Sequence, residues 1–98
     1  MAKEPIKSLP PKHRVTVERK SLGQHRADGG GKVDGLAYQD ENRIVLSKDL
    51  TAFSEMDTFL HEFLHIADKQ MKEEKVTKIA TMLANNMWRQ GYRKVRIK

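Results

Sequence analysis

Ninety-eight residues, 38% hydrophobic and 33% charged, have material for one soluble domain with a small core, and not for a separate substrate domain. There is no cysteine, which excludes disulfides, thiolate metal sites and a cysteine nucleophile, so any metal must be held through nitrogen and oxygen. The formal net charge of +6 is uneven: residues 1–31 carry seven Lys/Arg against three acids, residues 40–74 carry nine acids against four bases, and the last ten residues carry five bases and no acid.

In chain order, residues 1–12 read as an irregular basic arm, because Pro5, Pro10 and Pro11 interrupt any regular element. Residues 13–98 read as a single domain. "HRVTVERK" at 13–20 alternates and is β-branched, which predicts a strand. Residues 21–32 are a loop whose "DGGGK" lacks the spacing and the Lys-Ser/Thr ending of a phosphate loop. "VDGLAYQ" and "RIVLSKDL" predict two further strands joined by "DEN", with Val33, Gly35, Ala37, Ile44 and Leu46 on one side. An antiparallel-type sheet of about three strands results. Ser54 predicts a helix N-cap, and the apolar residues at 56, 59, 60, 63, 64, 66 and 67 cover more than one face, which predicts a central helix. A second helix is predicted from Glu73 to Gln90, with Val76, Ile79, Ala80, Leu83 and Met87 as its inner stripe, Trp88 as a core anchor and Gly91 as a C-cap. The fold class is α+β: a small sheet, then two helices.

The stretch "DTFLHEFLHIAD" at 57–68 carries the chemistry. Positions i and i+4 share one side of a helix, so His61 and His65 can reach one ion from a single rigid element. Glu62 lies beside such an ion and is placed as the base toward a zinc-activated water, then as the donor to a leaving amine. The bland alternative is two histidines on a helix face with an ordinary glutamate between them. The apolar flanks Phe59, Leu60, Phe63 and Leu64 and the acids downstream favour the site.

Catalytic zinc takes three protein ligands. Asp68 follows on the same face, but lies about 10 Å along a straight helix from His61. It reads as a helix-end acid or as an acceptor that orients a histidine ring. Glu73 shares the inner stripe of the second helix and Glu74 is rotated about 100° outward, so Glu73 is preferred. The choice requires the chain to turn within residues 69–72, where no Gly or Pro stands. In one unbroken helix, Glu73 would lie about 12 Å from His65.

Two histidines in HEFLH followed by an inward glutamate on the next helix resemble the gluzincin zinc metallopeptidases. That resemblance implies a zincin-like domain over 13–98, with a sheet before the HExxH helix. It also implies a Zn2+ cofactor on His61, His65 and Glu73, Glu62 as catalytic base, and a peptide or protein substrate. Thr77 stands where the family often places an acid or amide supporting a histidine. Residues 55–95, closing in "WRQGYRKV", also resemble short phage-type metallopeptidase-like proteins.

An oxyanion-stabilising group is expected in a peptidase, and Tyr38, Tyr92 and His25 are the available candidates. The tail from Gly91 is placed beside the cleft, where it would limit access. The basic arm and tail support a different reading: a catalytically silent zinc module that binds nucleic acid or an acidic protein partner. The N-terminus "MAKEPIKSLPPKHR" has no apolar signal core and no apolar run approaches membrane-spanning length. The expectation is therefore no membrane partner and a cytoplasmic location, in a host cell if the chain is phage-encoded.

Overall fold

The computed structural model describes residues 14–22 and 34–94. The basic arm at 1–12, the triple-glycine stretch, His25 and Val33 lie outside the described residues. The elements follow the expected order: β1 (Thr16–Lys20), β2 (Gly35–Tyr38), a short 3-10 turn (Gln39–Glu41), β3 (Arg43–Ser47), α1 (Ala52–Ala67) and α2 (Glu73–Arg89). No helix among the described residues is long and apolar enough to cross a membrane.

β3 occupies the centre of the sheet because it alone can be buried on both faces. Ile44, Val45 and Leu46 are consecutive and 0–2% exposed. β2 pairs with it antiparallel, Gly35 opposite Leu46 and Ala37 opposite Ile44, through the expected tight connection. Asn42 closes that connection in the left-handed conformation (φ 48°) that asparagine tolerates. β1 differs from the expected antiparallel-type sheet: it runs parallel to β3, Val17 opposite Ile44 and Arg19 opposite Leu46, so the sheet is mixed in the order β1-β3-β2. β1 and β3 are separated in sequence by residues 21–42, β2 among them, which is length enough for a parallel pairing.

α1 packs on the face that carries Ile44, Leu46, Gly35 and Ala37. Its N-cap is Thr51, whose hydroxyl accepts a hydrogen bond from the Ser54 N–H at 3.2 Å, so Ser54 is inside the first turn rather than its cap. The earlier start places Phe53 in the helix, where its ring meets Trp88 edge-on at 5.4 Å and joins the start of α1 to the end of α2. No α1 residue is fully buried, so the helix is not the central, many-sided element its apolar content predicts. In α2 the buried positions are Val76, Ala80 and Ala84, and Leu83 is 42% exposed. Alanines at 80 and 84 let the two helices approach closely, which turns the stripe by about one residue away from Leu83. After Gln90, Gly91 takes φ 91° and ends the helix as expected.

Candidate metal centre

α1 ends at Ala67, and Asp68 turns the chain without a glycine. Its backbone is extended, its N–H still bonds to the Leu64 carbonyl, its carbonyl accepts from Met71 and its carboxylate accepts from the Gln70 N–H at 3.1 Å. This is an Asx turn, and it commits the Asp68 side chain to the backbone rather than to a histidine ring. α2 restarts at Glu73, whose carboxylate sits in its first turn, where the helix dipole favours negative charge.

The reversal brings Glu73 back over the last turns of α1. Its Oε1 lies 2.7 Å from His61 Nε2 and its Oε2 lies 2.8 Å from His65 Nε2. The two Nε2 atoms are 3.2 Å apart, with ring planes inclined at 65°. Ligand atoms from all three residues fall within 4.8 Å of one another. The expected trio is thus gathered at one point. Glu74 is exposed and outside the cluster. Glu73 reaches the histidines from the exposed start of α2, with its side chain 65% accessible, and not from a buried stripe.

The donor set fits zinc. Two imidazoles and one carboxylate are a recognised catalytic combination, and tetrahedral ligands at about 2.0–2.1 Å stand about 3.4 Å from one another, close to the separation of the two Nε2 atoms. The nitrogen-to-carboxylate distances are those of hydrogen bonds. As hydrogen bonds, both contacts would need N–H groups on nitrogens only 3.2 Å apart, whereas three lone pairs converging on a cation suit that spacing. The imidazoles are 24% and 22% exposed, so the group is open to solvent on one side.

Glu62 follows His61 on α1 and lies under β2. A Cβ built on Gly35 would stand 2.6 Å from Thr58 Cγ2 and 3.2 Å from Glu62 Cγ. Only a residue without a side chain lets the strand approach this closely. Burial pushes the Glu62 carboxyl above its ordinary value, and the two imidazoles oppose that rise while Glu73 adds to it. Gln39 donates from its side-chain amide to the His65 carbonyl at 2.7 Å, tying the end of α1 to the β2–β3 connection. Gly35 carries a sequence signal, a glycine inside a strand. Gln39 carries none, because its partner is 26 residues away.

The other candidates are elsewhere. Tyr38 alternates with Ala37 onto the sheet face away from α1, where its ring lies 4.1 Å from the Arg43 guanidinium carbon. Tyr92 and the described tail to Lys94 border a cavity on the opposite side of α1, not the His–His–Glu group. Thr77 is exposed. Comparison with protein-family models, curated proteins and solved structures returns no match to this chain.

Proposed function

We propose that the chain is a minimal zinc-dependent peptidase of gluzincin type, with His61, His65 and Glu73 as ligands and Glu62 as catalytic base. The observation that carries this reading is the convergence of both Nε2 atoms and the Glu73 carboxylate, from two helices, beside a half-buried glutamate. Zinc bound there would supply Lewis acidity toward a water and a peptide carbonyl.

The remaining work belongs to the chain. Glu62 accepts a proton from the attacking water and returns it to the departing amine, and its position under β2 keeps the carboxylate poorly hydrated and basic. Asp34 O accepts from Ser47 N, so the even residues of β2 bond to β3 and the backbone groups of Gly35 and Ala37 point to what is, among the described residues, the outer edge. An extended substrate pairing along that edge would pass close to Glu62. Neither described tyrosine supports an oxyanion at this site. The uneven charge supports a second reading, a silent zinc module whose basic segments bind nucleic acid or a partner protein.

Zinc content by elemental mass spectrometry, with hydrolysis of a mixed peptide library, separates these readings. The expected outcome is one zinc per chain, lost in His65→Ala and Glu73→Ala and kept in Glu74→Ala. Glu62→Gln should keep zinc and lose hydrolysis. Stoichiometric zinc without turnover, together with salt-dependent DNA binding, would establish the silent module instead.

A further inference from the structure

The side of α1 turned away from the histidines carries a second feature. A cavity of about 350 Å3 lies between β1, α1 and the end of α2. Its α1 residues include Met56 and Phe59, roughly 140–160° around the helix from His61, so it is not part of the metal centre. Its walls are almost wholly apolar, with Val17, Met87 and Trp88 completing them, and its volume lies at the lower end of the range of ligand pockets. It exists because α1 packs chiefly on β2 and β3, which leaves the helix-facing side of β1 incompletely covered.

Two further observations say what would fill it. First, β1 is an edge strand among the described residues. Thr16 donates to the Asn42 carbonyl and the Lys20 carbonyl accepts from Lys48, so residues 16, 18 and 20 bond inward. The backbone N–H and C=O groups of Val17 and Arg19 then face outward at the mouth of the cavity. Second, among the described residues the rim holds three cations against one carboxylate. Glu55 is shared by Arg19 at 3.0 Å and Lys94 at 3.7 Å, and the guanidinium carbon of Arg93 lies over Trp88, 3.4 Å from the ring centre.

We propose that this edge and cavity dock an extended peptide as an added strand, with an apolar side chain in the cavity and an acidic side chain two residues away on the Lys94–Arg93 rim. The spacing follows from the strand period. Residues i and i+2 project to one face, so both groups reach the helix side together, whereas an acid next to the apolar residue points to the other face. The site is independent of zinc, and of whether the metal centre turns over.

The test is an amide-resolved NMR titration with three capped pentapeptides, Glu-Thr-Leu-Thr-Glu, Lys-Thr-Leu-Thr-Lys and Thr-Glu-Leu-Glu-Thr, alongside the fluorescence of Trp88, the only tryptophan. The first peptide should bind about tenfold more tightly than the other two. It should shift the amides of Val17 and Arg19 and perturb Trp88. Lys94→Glu, at a 60% exposed position, should erase the preference. Equal binding of all three peptides, or shifts confined to Gly35 and Ala37 on β2, would overturn the proposal. The comparison among peptides in the unmodified protein decides the matter even where the variant misbehaves.

Discussion

Gly35 lies where β2 crosses α1, and its missing side chain fixes how near the strand comes to Glu62. Gly35→Ala forces a methyl group against Thr58 Cγ2 and should cost about 1–3 kcal/mol in urea unfolding. Adding Thr58→Ser removes the clashing methyl group and should recover most of that loss; a double variant no more stable than Gly35→Ala would refute the steric account. The first turn of α1 offers a comparison of two hydroxyls three residues apart. Thr51→Ala removes the acceptor for the Ser54 N–H and should cost about 1 kcal/mol, while Ser54→Ala, inside the turn, should cost much less. The HExxH pair is legible at this scale because spacing alone puts His61 and His65 on one face. Asp68 is less so: an acid after a histidine helix reads equally as a ring partner or as a helix-end acid, and the second of these, capping the turn, is what it does.

At the scale of elements, α2 shows how a stripe is chosen. Ile79, Leu83 and Met87 have the greater apolar area, yet the buried line runs through Val76, Ala80 and Ala84. Small side chains bury by permitting close approach, and a hydrophobicity pattern does not weigh that. Ala84→Leu should therefore destabilise the fold by about 1–3 kcal/mol through overpacking. Leu83→Ala, at a 42% exposed position, should cost less than about 1 kcal/mol, the reverse of what the sequence stripe implies. Equal losses in thermal unfolding would place Leu83 back in the core. The same blindness applies to β1. Its strand character is plain in "VTVERK", but its parallel pairing is set by β3 taking the centre, which no local pattern in β1 encodes.

Across the whole molecule, two contacts hold distant parts together. Arg19 on β1 makes two hydrogen bonds to Glu55 on α1, at 3.1 and 3.0 Å. The Arg19 hydrogen bonds hold the Glu55 carboxyl below its ordinary value of 4.5, against a smaller opposing effect of burial. A carboxyl lowered on folding stabilises the native state above its unfolded value and loses that contribution as pH falls through the folded value. Glu55→Gln should thus be less stable than the unmodified protein at pH 7, by about 0.5 kcal/mol for so exposed a pair, with the gap closing below pH 4.5. The second contact joins α1 to α2 through the His–His–Glu group. If zinc occupies it, added metal at about a hundredfold above its dissociation constant should raise stability by about 2.7 kcal/mol, a chelator should reverse the gain, and Glu73→Ala should show neither effect.

What the sequence determined by itself is whatever depends on near neighbours along the chain. Element types, their order, the α+β class and the two histidines on one helix face all follow from periodicities of two and 3.6 residues, which local sterics impose. The tertiary structure decided whatever depends on chain segments meeting. It set the parallel register of β1, the outward turn of Leu83, the closeness of β2 to Glu62 and the arrival of Glu73 rather than Glu74 at the histidines. The last of these hangs on five residues, 68–72, with no glycine or proline to announce a turn. Whether such a segment continues a helix or reverses is settled by packing energy gained elsewhere, where Val76 and Ala80 bury and Phe53 meets Trp88, and that energy is not written in the turn.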